Sequence, residues 1–203
     1  PRTTTVHGKV LGIVGFGRIG KAVAQRAEAC GMKVIYFART PKPDAPWPRA
    51  ESLEALALQS DILLSILPGG DATRGLIDAK IFDALGPKGI FISLGRGTAV
   101  DEPALVAALQ AGTIAGAGLD VYADEPHVPP ELIAMENVVL SPHIAGLTAD
   151  RLRAAPDHAV PRAAAPAGLR TAPGRLGGPP ALLPGDPPHA QGPHLLVLPP
   201  GVP

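Results

Sequence analysis

A glycine-rich loop is the feature that most constrains how this chain folds. The loop Gly15-Phe16-Gly17-Arg18-Ile19-Gly20 follows a short apolar run, Val10–Val14, and opens a segment with helical spacing, Lys21–Cys30. The pattern GxGxxG alone is a weak signal, and an ordinary strand-to-helix turn is the alternative interpretation. A strand before the loop, a helix after it and a β-rich run at Lys33–Phe37 supply the context that the pattern requires. The sequence therefore predicts a βαβ unit whose loop binds a dinucleotide.

Each glycine of this loop has its own expected role. Gly15 permits the tight turn, Gly17 lets the backbone approach a pyrophosphate, and Gly20 lets the helix pack against the strand. The helix N-terminus offers free N–H groups and a positive dipole end to phosphates. All six residues of the loop, Phe16, Arg18 and Ile19 included, are therefore candidate cofactor-binding residues.

Strands and helices alternate along the first 150 residues. Strands alternating with helices of about ten residues are typical of βαβ units and a parallel sheet. Six strands predict an α/β fold with a doubly wound, Rossmann-type parallel sheet. The further strands are expected at Asp61–Leu67, Gly89–Leu94, Ile114–Val121 and Asn137–Leu140, and the further helices at Ser52–Gln59, Asp78–Leu85 and Asp101–Ala111.

The composition changes abruptly near residue 150. Residues 151–203 hold 13 of the 25 prolines, and Pro, Gly and Ala make up 30 of these 53 residues. Such a segment cannot bury enough apolar surface to form a core. We therefore expect a dinucleotide-binding domain over 1–150 and a disordered tail over 151–203. Because the change is abrupt and favours Arg over Lys, we hypothesise that the tail comes from a GC-rich gene read in the wrong frame. A genuine Pro-rich linker is the alternative.

Charge and cysteine usage narrow the class of protein. The 18 basic residues balance the 18 acidic ones, which argues against a dedicated nucleic-acid binder. No apolar run reaches the roughly 18–20 residues of a membrane helix, and no run typical of a signal peptide opens the sequence. The single cysteine, Cys30, excludes a disulfide framework and fits a reducing cytosol. No histidine has the spacing of a metal ligand, so we expect no metal site. Together, the balanced charge, the lack of a membrane segment and the single cysteine predict a cytoplasmic protein with no nucleic-acid or membrane partner.

The residues after the second strand indicate which dinucleotide fits. NAD enzymes carry Asp or Glu about 20 residues after the glycine loop, where it accepts a hydrogen bond from the ribose. Ala38 takes that place here, followed by Arg39 and Thr40. Without a carboxylate nothing repels a 2′-phosphate, and Arg39 can pair with it. We predict NADP as the cofactor, with NAD as the alternative. On the other interpretation, Arg39 and Lys42 are ordinary solvated charges.

Three ordered blocks resemble the D-isomer-specific 2-hydroxyacid dehydrogenases. They are the glycine loop, then Ser93–Glu102 (SLGRGTAVDE), then Gly118–Pro126 (GLDVYADEP) with Ser141–Gly146 (SPHIAG). The resemblance covers roughly residues 6–150. It implies hydride transfer between NAD(P)H and a small 2-keto acid or D-2-hydroxy acid. The Arg39 region and Ala84–Gly89 are most similar to the NADPH-preferring glyoxylate, hydroxypyruvate and hydroxyphenylpyruvate reductases.

Polar side chains follow three successive predicted strands. Arg96, Glu125 and His143 follow the fourth, fifth and sixth strands, whose carboxyl ends form the ligand-binding edge of such sheets. A guanidinium can hold the carboxylate of a 2-keto acid, and an imidazole can donate a proton near neutral pH. Taken singly, they could be a surface charge, a turn-forming carboxylate and a structural histidine. The resemblance implies that all three are catalytic. Asp124 is the rival carboxylate, but Glu125 has the family's spacing from Asp120.

The resemblance also implies further contacts with the cofactor. Asp120 corresponds to the contact with the nicotinamide carboxamide, and Leu67 and Pro68 lie beside the nicotinamide ribose. Leu94, Gly95 and Ala145 complete the expected cofactor-binding set.

Members of the family begin with a separate substrate domain, whereas this chain starts just before the first strand of the cofactor domain. We therefore expect this polypeptide to bind NADPH but to turn over 2-keto acids very poorly, and the intact protein to be a homodimer. The competing hypotheses are a non-catalytic, corepressor-like dinucleotide sensor and a non-functional truncated product.

Overall fold

Six strands alternate with helices along residues 5–146, which are the residues that this computed structural model describes. The predicted tail, residues 151–203, lies outside them. The strands are β1 (Val10–Val14), β2 (Lys33–Phe37), β3 (Ile62–Ser65), β4 (Ile90–Ser93), β5 (Gly116–Leu119) and β6 (Val138–Leu140). The helices are α1 (Arg18–Ala29), α2 (Leu53–Leu58), α3 (Ala79–Leu85), α4 (Glu102–Gln110) and α5 (Pro130–Ala134).

All six strands belong to one parallel sheet, in the order β2-β1-β3-β4-β5-β6. The chain begins in β1, moves outward to β2, and then crosses back to place β3 on the other side of β1. The connection that follows β1 and the one that follows β3 therefore run in opposite directions along the sheet. Ligands of doubly wound sheets bind at such a switch point. The predicted fold class is confirmed.

The sheet is buried between two layers of apolar side chains. On one face α1 packs through Ala24 and Ala27 against β1 and β2, around the stacked rings of Phe16 and Tyr36. On the other face α2, α3 and α4 share one apolar cluster with side chains of β1, β3, β4 and β5. Leu63 and Leu64, adjacent residues of β3, point to opposite faces and are both buried. Burial on both faces explains why this strand is apolar at every position except its end.

Side-chain caps set where three helices begin. The Ser52 hydroxyl accepts from the Ala55 N–H at 3.0 Å, and the Asp101 carboxylate accepts from the Ala104 N–H at 3.0 Å. Asp78 caps α3 in the same way. Each cap satisfies an N–H group that the helix itself leaves unpaired. All three residues open the helices that the sequence predicted there.

Several predicted boundaries differ from the structure. α1 begins at Arg18, inside the glycine loop, rather than at Lys21. β3 and β5 end at Ser65 and Leu119, because the apolar residues beyond them leave the sheet to form loops. The short helix α5 was not among the predicted helices; it begins at Pro130, directly after Pro129. Proline is tolerated in the first turn of a helix, and the fully buried Leu132 holds α5 against the core.

Candidate active site

The glycine loop has the backbone geometry that close approach to a ligand requires. Gly15 has φ +91°, and a Cβ there would lie 2.8 Å from the Ile66 carbonyl oxygen. A Cβ at Gly20 would lie 2.8 Å from the Gly15 carbonyl oxygen. By contrast, a Cβ at Gly17 would meet nothing within 4 Å. The first and third glycines are therefore needed for packing, whereas the second leaves open space beside the backbone.

The N-terminus of α1 fits a pyrophosphate. Its N-cap is Gly17, and no side chain caps it, unlike the helices that begin after Ser52, Asp78 and Asp101. Uncapped N–H groups at the positive end of the helix dipole favour a bound anion. The side chain of Phe16 is only 2% exposed, so it is part of the core and this residue can offer a ligand only its backbone.

Apolar side chains are exposed along the same edge of the sheet. Ile19 lies in the first turn of α1, Leu94 follows β4 and Ile144 follows β6, and all three are exposed. The loops after β3 and β4 touch, because a Cβ at Gly95 would collide with the backbone of Leu67. Pro68, the next residue, is exposed. This edge can therefore cover flat, partly apolar rings as well as phosphates.

Three cationic side chains lie in the segment that follows β2. Ala38 is half-buried where an NAD enzyme carries its carboxylate, and Arg39 and Thr40 are exposed. Arg49 was not predicted as a site residue, yet its Nε and Nη2 donate to the Ala38 carbonyl oxygen at 3.1 and 2.9 Å. None of the ion pairs formed within residues 5–146 involves Arg39, Lys42 or Arg49. These three cations are therefore not engaged by any carboxylate of the described residues.

His143 and Glu125 form a direct pair at the ends of β6 and β5. The Nδ1 atom of His143 lies 2.7 Å from Oε2 of Glu125. The other oxygen, Oε1, accepts from the Tyr122 N–H at 3.1 Å. Both carboxylate oxygens are thereby engaged, and within the described part of the chain Nε2 of His143 has no hydrogen-bond partner. Asp124, the rival carboxylate, instead lies 3.4 Å from Nδ1 of the exposed His127.

Asp120 joins the loop after β6 to the end of β5. Its carboxylate is only 5% exposed. Oδ1 accepts from the Ser141 hydroxyl at 2.6 Å and from the Ile144 N–H at 2.9 Å, and Oδ2 accepts from the Ala145 N–H at 3.0 Å. The loop that carries His143 is therefore held on both sides of the imidazole. The expected contact of Asp120 with a nicotinamide carboxamide stays a prediction, and Ala145 reaches this site with its N–H already bonded.

Tyr122 adds a third connection to the same loop. Its hydroxyl donates to the Ser141 carbonyl oxygen at 3.0 Å. Burial, aided by the nearby carboxylates, raises the pKa of Tyr122 from 10.0 to about 12. The phenol therefore stays protonated and keeps donating across the ordinary pH range. Sequence reasoning missed this role, because nothing in the spacing shows which carbonyl the hydroxyl reaches.

Arg96 stands apart from the His143–Glu125 pair. It is exposed after β4, and its Nη1 donates to the Gly95 carbonyl oxygen at 2.8 Å. Its aliphatic stem lies against the loop after β3, since a Cβ at Gly69 would be 3.3 Å from Cγ of Arg96. Arg96, Glu125 and His143 thus follow three adjacent strands, although no contact in the described part of the chain joins the arginine to the other two.

Comparison with known families decides what kind of domain this is. Residues 1–145 match the family model described as "D-isomer specific 2-hydroxyacid dehydrogenase, NAD binding domain". The chain belongs to this family.

The described residues contain no group of three or more His, Cys, Asp or Glu side chains placed to hold a metal ion. Over the same range, no helix is both long and apolar enough to span a bilayer.

Similar proteins in this dehydrogenase family include reductases of small keto acids. The chain is 46% identical to glyoxylate/hydroxypyruvate reductase A of Arabidopsis thaliana, over 76% of this chain and 50% of that protein. It is 49% identical to hydroxyphenylpyruvate reductase of Plectranthus scutellarioides, over 73% of this chain and 47% of that protein. The chain thus spans about half the length of these relatives.

A solved structure of the same family superimposes on the chain. It is the NADPH-dependent glyoxylate/hydroxypyruvate reductase of Sinorhizobium meliloti, in complex with NADP and malonate. The match has a TM-score of 0.69 and 46% identity, and it covers 70% of this chain and 44% of that one. The expected family and cofactor-domain type are therefore confirmed.

Proposed function

We propose that this chain is the cofactor domain of an NADPH-dependent reductase of small 2-keto acids, of the glyoxylate or hydroxypyruvate type. The observation that carries the proposal is the 2.7 Å pair between His143 and Glu125 at the sheet edge that also bears the glycine loop. The similar reductases of glyoxylate, hydroxypyruvate and hydroxyphenylpyruvate support the same class of substrate. A homodimeric assembly of the intact protein and a cytoplasmic location are predictions that rest on the resemblance and the composition.

The residues present fit a dinucleotide. Gly15–Gly20 and the uncapped start of α1 would hold the pyrophosphate, and Arg39 would pair with the 2′-phosphate. When bound, the cofactor supplies the hydride for reduction of the carbonyl. The nicotinamide end would lie among the residues that border the loops after β3, β4, β5 and β6, namely Leu67, Pro68, Leu94, Gly95, Asp120 and Ala145.

His143 is the proton donor in this proposal. Its Nδ1 is held by Glu125, so Nε2 is the atom left to give a proton to the carbonyl oxygen of the substrate. Glu125 acts as a positioning residue, since it orients the imidazole and stabilises its charged form. Arg96 offers a planar pair of donors to the substrate carboxylate and draws electron density from the carbonyl.

The test separates cofactor binding from proton donation. We would titrate the full chain with NADPH by calorimetry and follow NADPH oxidation with glyoxylate or hydroxypyruvate, using excess protein so that a single turnover is visible. His143→Gln should slow oxidation about a hundredfold or more. It should leave the Kd for NADPH within about twofold of that of the unaltered chain.

His127→Gln is the matched control, because His127 also pairs with a carboxylate but lies in an exposed loop. It should change neither quantity. Failure to bind NADPH, or oxidation by His143→Gln at the unaltered rate, would refute the proposal. Oxidation in the absence of partner proteins would favour the reductase over a dinucleotide sensor, whereas binding without oxidation fits both a sensor and a chain that spans about half the length of its relatives.

A further inference from the structure

We propose that Arg49 is a second ligand of the NADP 2′-phosphate and therefore a determinant of cofactor preference. This inference rests on the proposed binding of NADP. It adds a residue that lies ten positions beyond Arg39 and that was not predicted from the sequence.

The position of the guanidinium carries the argument. Two of its N–H donors bind the Ala38 carbonyl oxygen, and Cζ lies 5.6 Å from the centroid of the Phe37 ring. Ala38 stands where NAD enzymes place the carboxylate that binds the ribose 2′-hydroxyl. The Arg49 guanidinium thus lies beside the residue that, in such enzymes, decides between a hydroxyl and a phosphate.

The backbone around Arg49 is fixed by the edge of the sheet. The Tyr36 N–H donates to the Pro48 carbonyl at 3.1 Å, and the Ala50 N–H donates to the Tyr36 carbonyl at 2.8 Å. Arg49 is thereby bridged to Tyr36 as a one-residue extension of the sheet beyond β2. The next residue, Ala50, is buried in the core. Because both backbone and side chain are already held, little conformational freedom remains to be lost when an anion binds.

The charge of Arg49 is available to an anion. Among residues 5–146 no carboxylate forms an ion pair with it, and its remaining N–H donors are not used by any hydrogen bond of that region. A phosphate presents strong acceptor oxygens and more than one negative charge, whereas a ribose hydroxyl presents no charge. The contribution of Arg49 should therefore fall on NADP and not on NAD.

The experiment compares two cofactors on two variants of the full chain. We would measure Kd values for NADPH and NADH by calorimetry. We would repeat the comparison with 2′,5′-ADP and 5′-AMP, which differ only in the 2′-phosphate. Binding of these two can also be followed by the fluorescence of Trp47, the single tryptophan. Arg49→Gln should weaken binding of NADPH and 2′,5′-ADP about tenfold or more. It should leave binding of NADH and 5′-AMP within about twofold.

Arg26→Gln is the matched control. The Arg26 guanidinium also donates to a backbone carbonyl, that of Ala22 at 2.8 Å, but it lies in the last turn of α1, away from the carboxyl ends of the strands. This variant should bind all four ligands like the unaltered chain.

An unchanged NADPH-to-NADH ratio in Arg49→Gln would overturn the inference while leaving NADP binding in place. Equal weakening for all four ligands would also overturn it, because Arg49 would then only support the backbone at Ala38. Equal affinity of the unaltered chain for NADPH and NADH would refute the NADP proposal itself, and with it this inference.

Discussion

Replacing Asp120 by Asn should loosen the loop that carries His143 more than any other single change of one polar atom. The buried carboxylate accepts three hydrogen bonds, two of them from the backbone N–H groups of Ile144 and Ala145. An asparagine keeps the shape but removes the charge. Its amide NH₂ also faces one of the three donors, so one N–H loses its acceptor.

The expected loss of unfolding free energy follows from these three hydrogen bonds. A hydrogen bond to a charged group contributes about 1.5–3 kcal/mol, against about 0.5–1.5 kcal/mol for a neutral pair. Weakening two bonds by about 1 kcal/mol each and leaving one donor unpaired at about 1–3 kcal/mol sums to roughly 3–5 kcal/mol. Because the loop can relax towards water, we expect about 3 kcal/mol of lost unfolding free energy. That corresponds to a Tm lower by about 10 °C.

Ser141→Ala gives the matched comparison. It removes one donor but leaves the Asp120 carboxylate with its two backbone N–H partners, so it should cost about 1.5 kcal/mol, the lower end of the range for a bond to a charged group. Calorimetric Tm values would rank the two variants. Hydrogen exchange would locate the effect, with faster exchange at the Ile144 and Ala145 amides in Asp120→Asn and unchanged exchange in the core strand β3.

Equal Tm values for the two variants would refute the proposed role of the Asp120 charge, which then fails as an explanation of the loop. It also fails if Asp120→Asn melts within about 2 °C of the unaltered chain, since buried charge-assisted bonds would then contribute almost nothing.

Two further predictions concern other parts of the site. Tyr122→Phe should cost about 1 kcal/mol at neutral pH, because the Ser141 carbonyl loses its donor. The pKa of Tyr122 is 10.0 in the unfolded chain and about 12 in the folded one. Its contribution to the unfolding free energy is therefore fully present below pH 10 and is lost as the pH rises from 10 to 12. The difference between the two chains in chemical denaturation should therefore shrink over that interval; a constant difference would contradict the role. Gly15→Ala should lower stability by about 1–3 kcal/mol, owing to its positive φ and the 2.8 Å approach to Ile66, while Gly17→Ala should leave Tm unchanged and weaken NADPH binding. Equal Tm losses for both glycine variants would show that the loop is only a structural turn.

The sequence was most informative where local chemistry sets the structure. Ser52, Asp78 and Asp101 start their helices by binding the N–H groups of the next turn, an interaction between residues three apart in the chain. The apolar run of β1 predicted the observed bounds, because Lys9 and Gly15 close it on its two sides. The glycine loop was predictable for the same reason, since strand, turn and helix are contiguous.

Contacts between distant segments account for what the sequence did not show. Ile66 and Leu67 continue the apolar run of β3, but they leave the sheet, where Gly15 and Gly95 pack against their backbone. Arg49 reaches Ala38 only because its own segment bridges to Tyr36. Periodicity describes one element at a time, so it cannot show that a cation from one loop will bind the backbone of another.

Two of the carboxylates that follow β5, Asp120 and Glu125, together place the imidazole of His143. His143 has φ 53°, a left-handed conformation that costs a non-glycine residue on the order of 1 kcal/mol. Asp120 stabilises that turn by binding the N–H groups of the two residues after it, while Glu125 fixes the side chain through Nδ1. A substitution at Glu125 should therefore change the behaviour of the imidazole without melting the loop, whereas one at Asp120 should move backbone and imidazole together. Because Asp120 is buried and Glu125 is partly exposed, the fold depends more on Asp120 and the proposed chemistry more directly on Glu125.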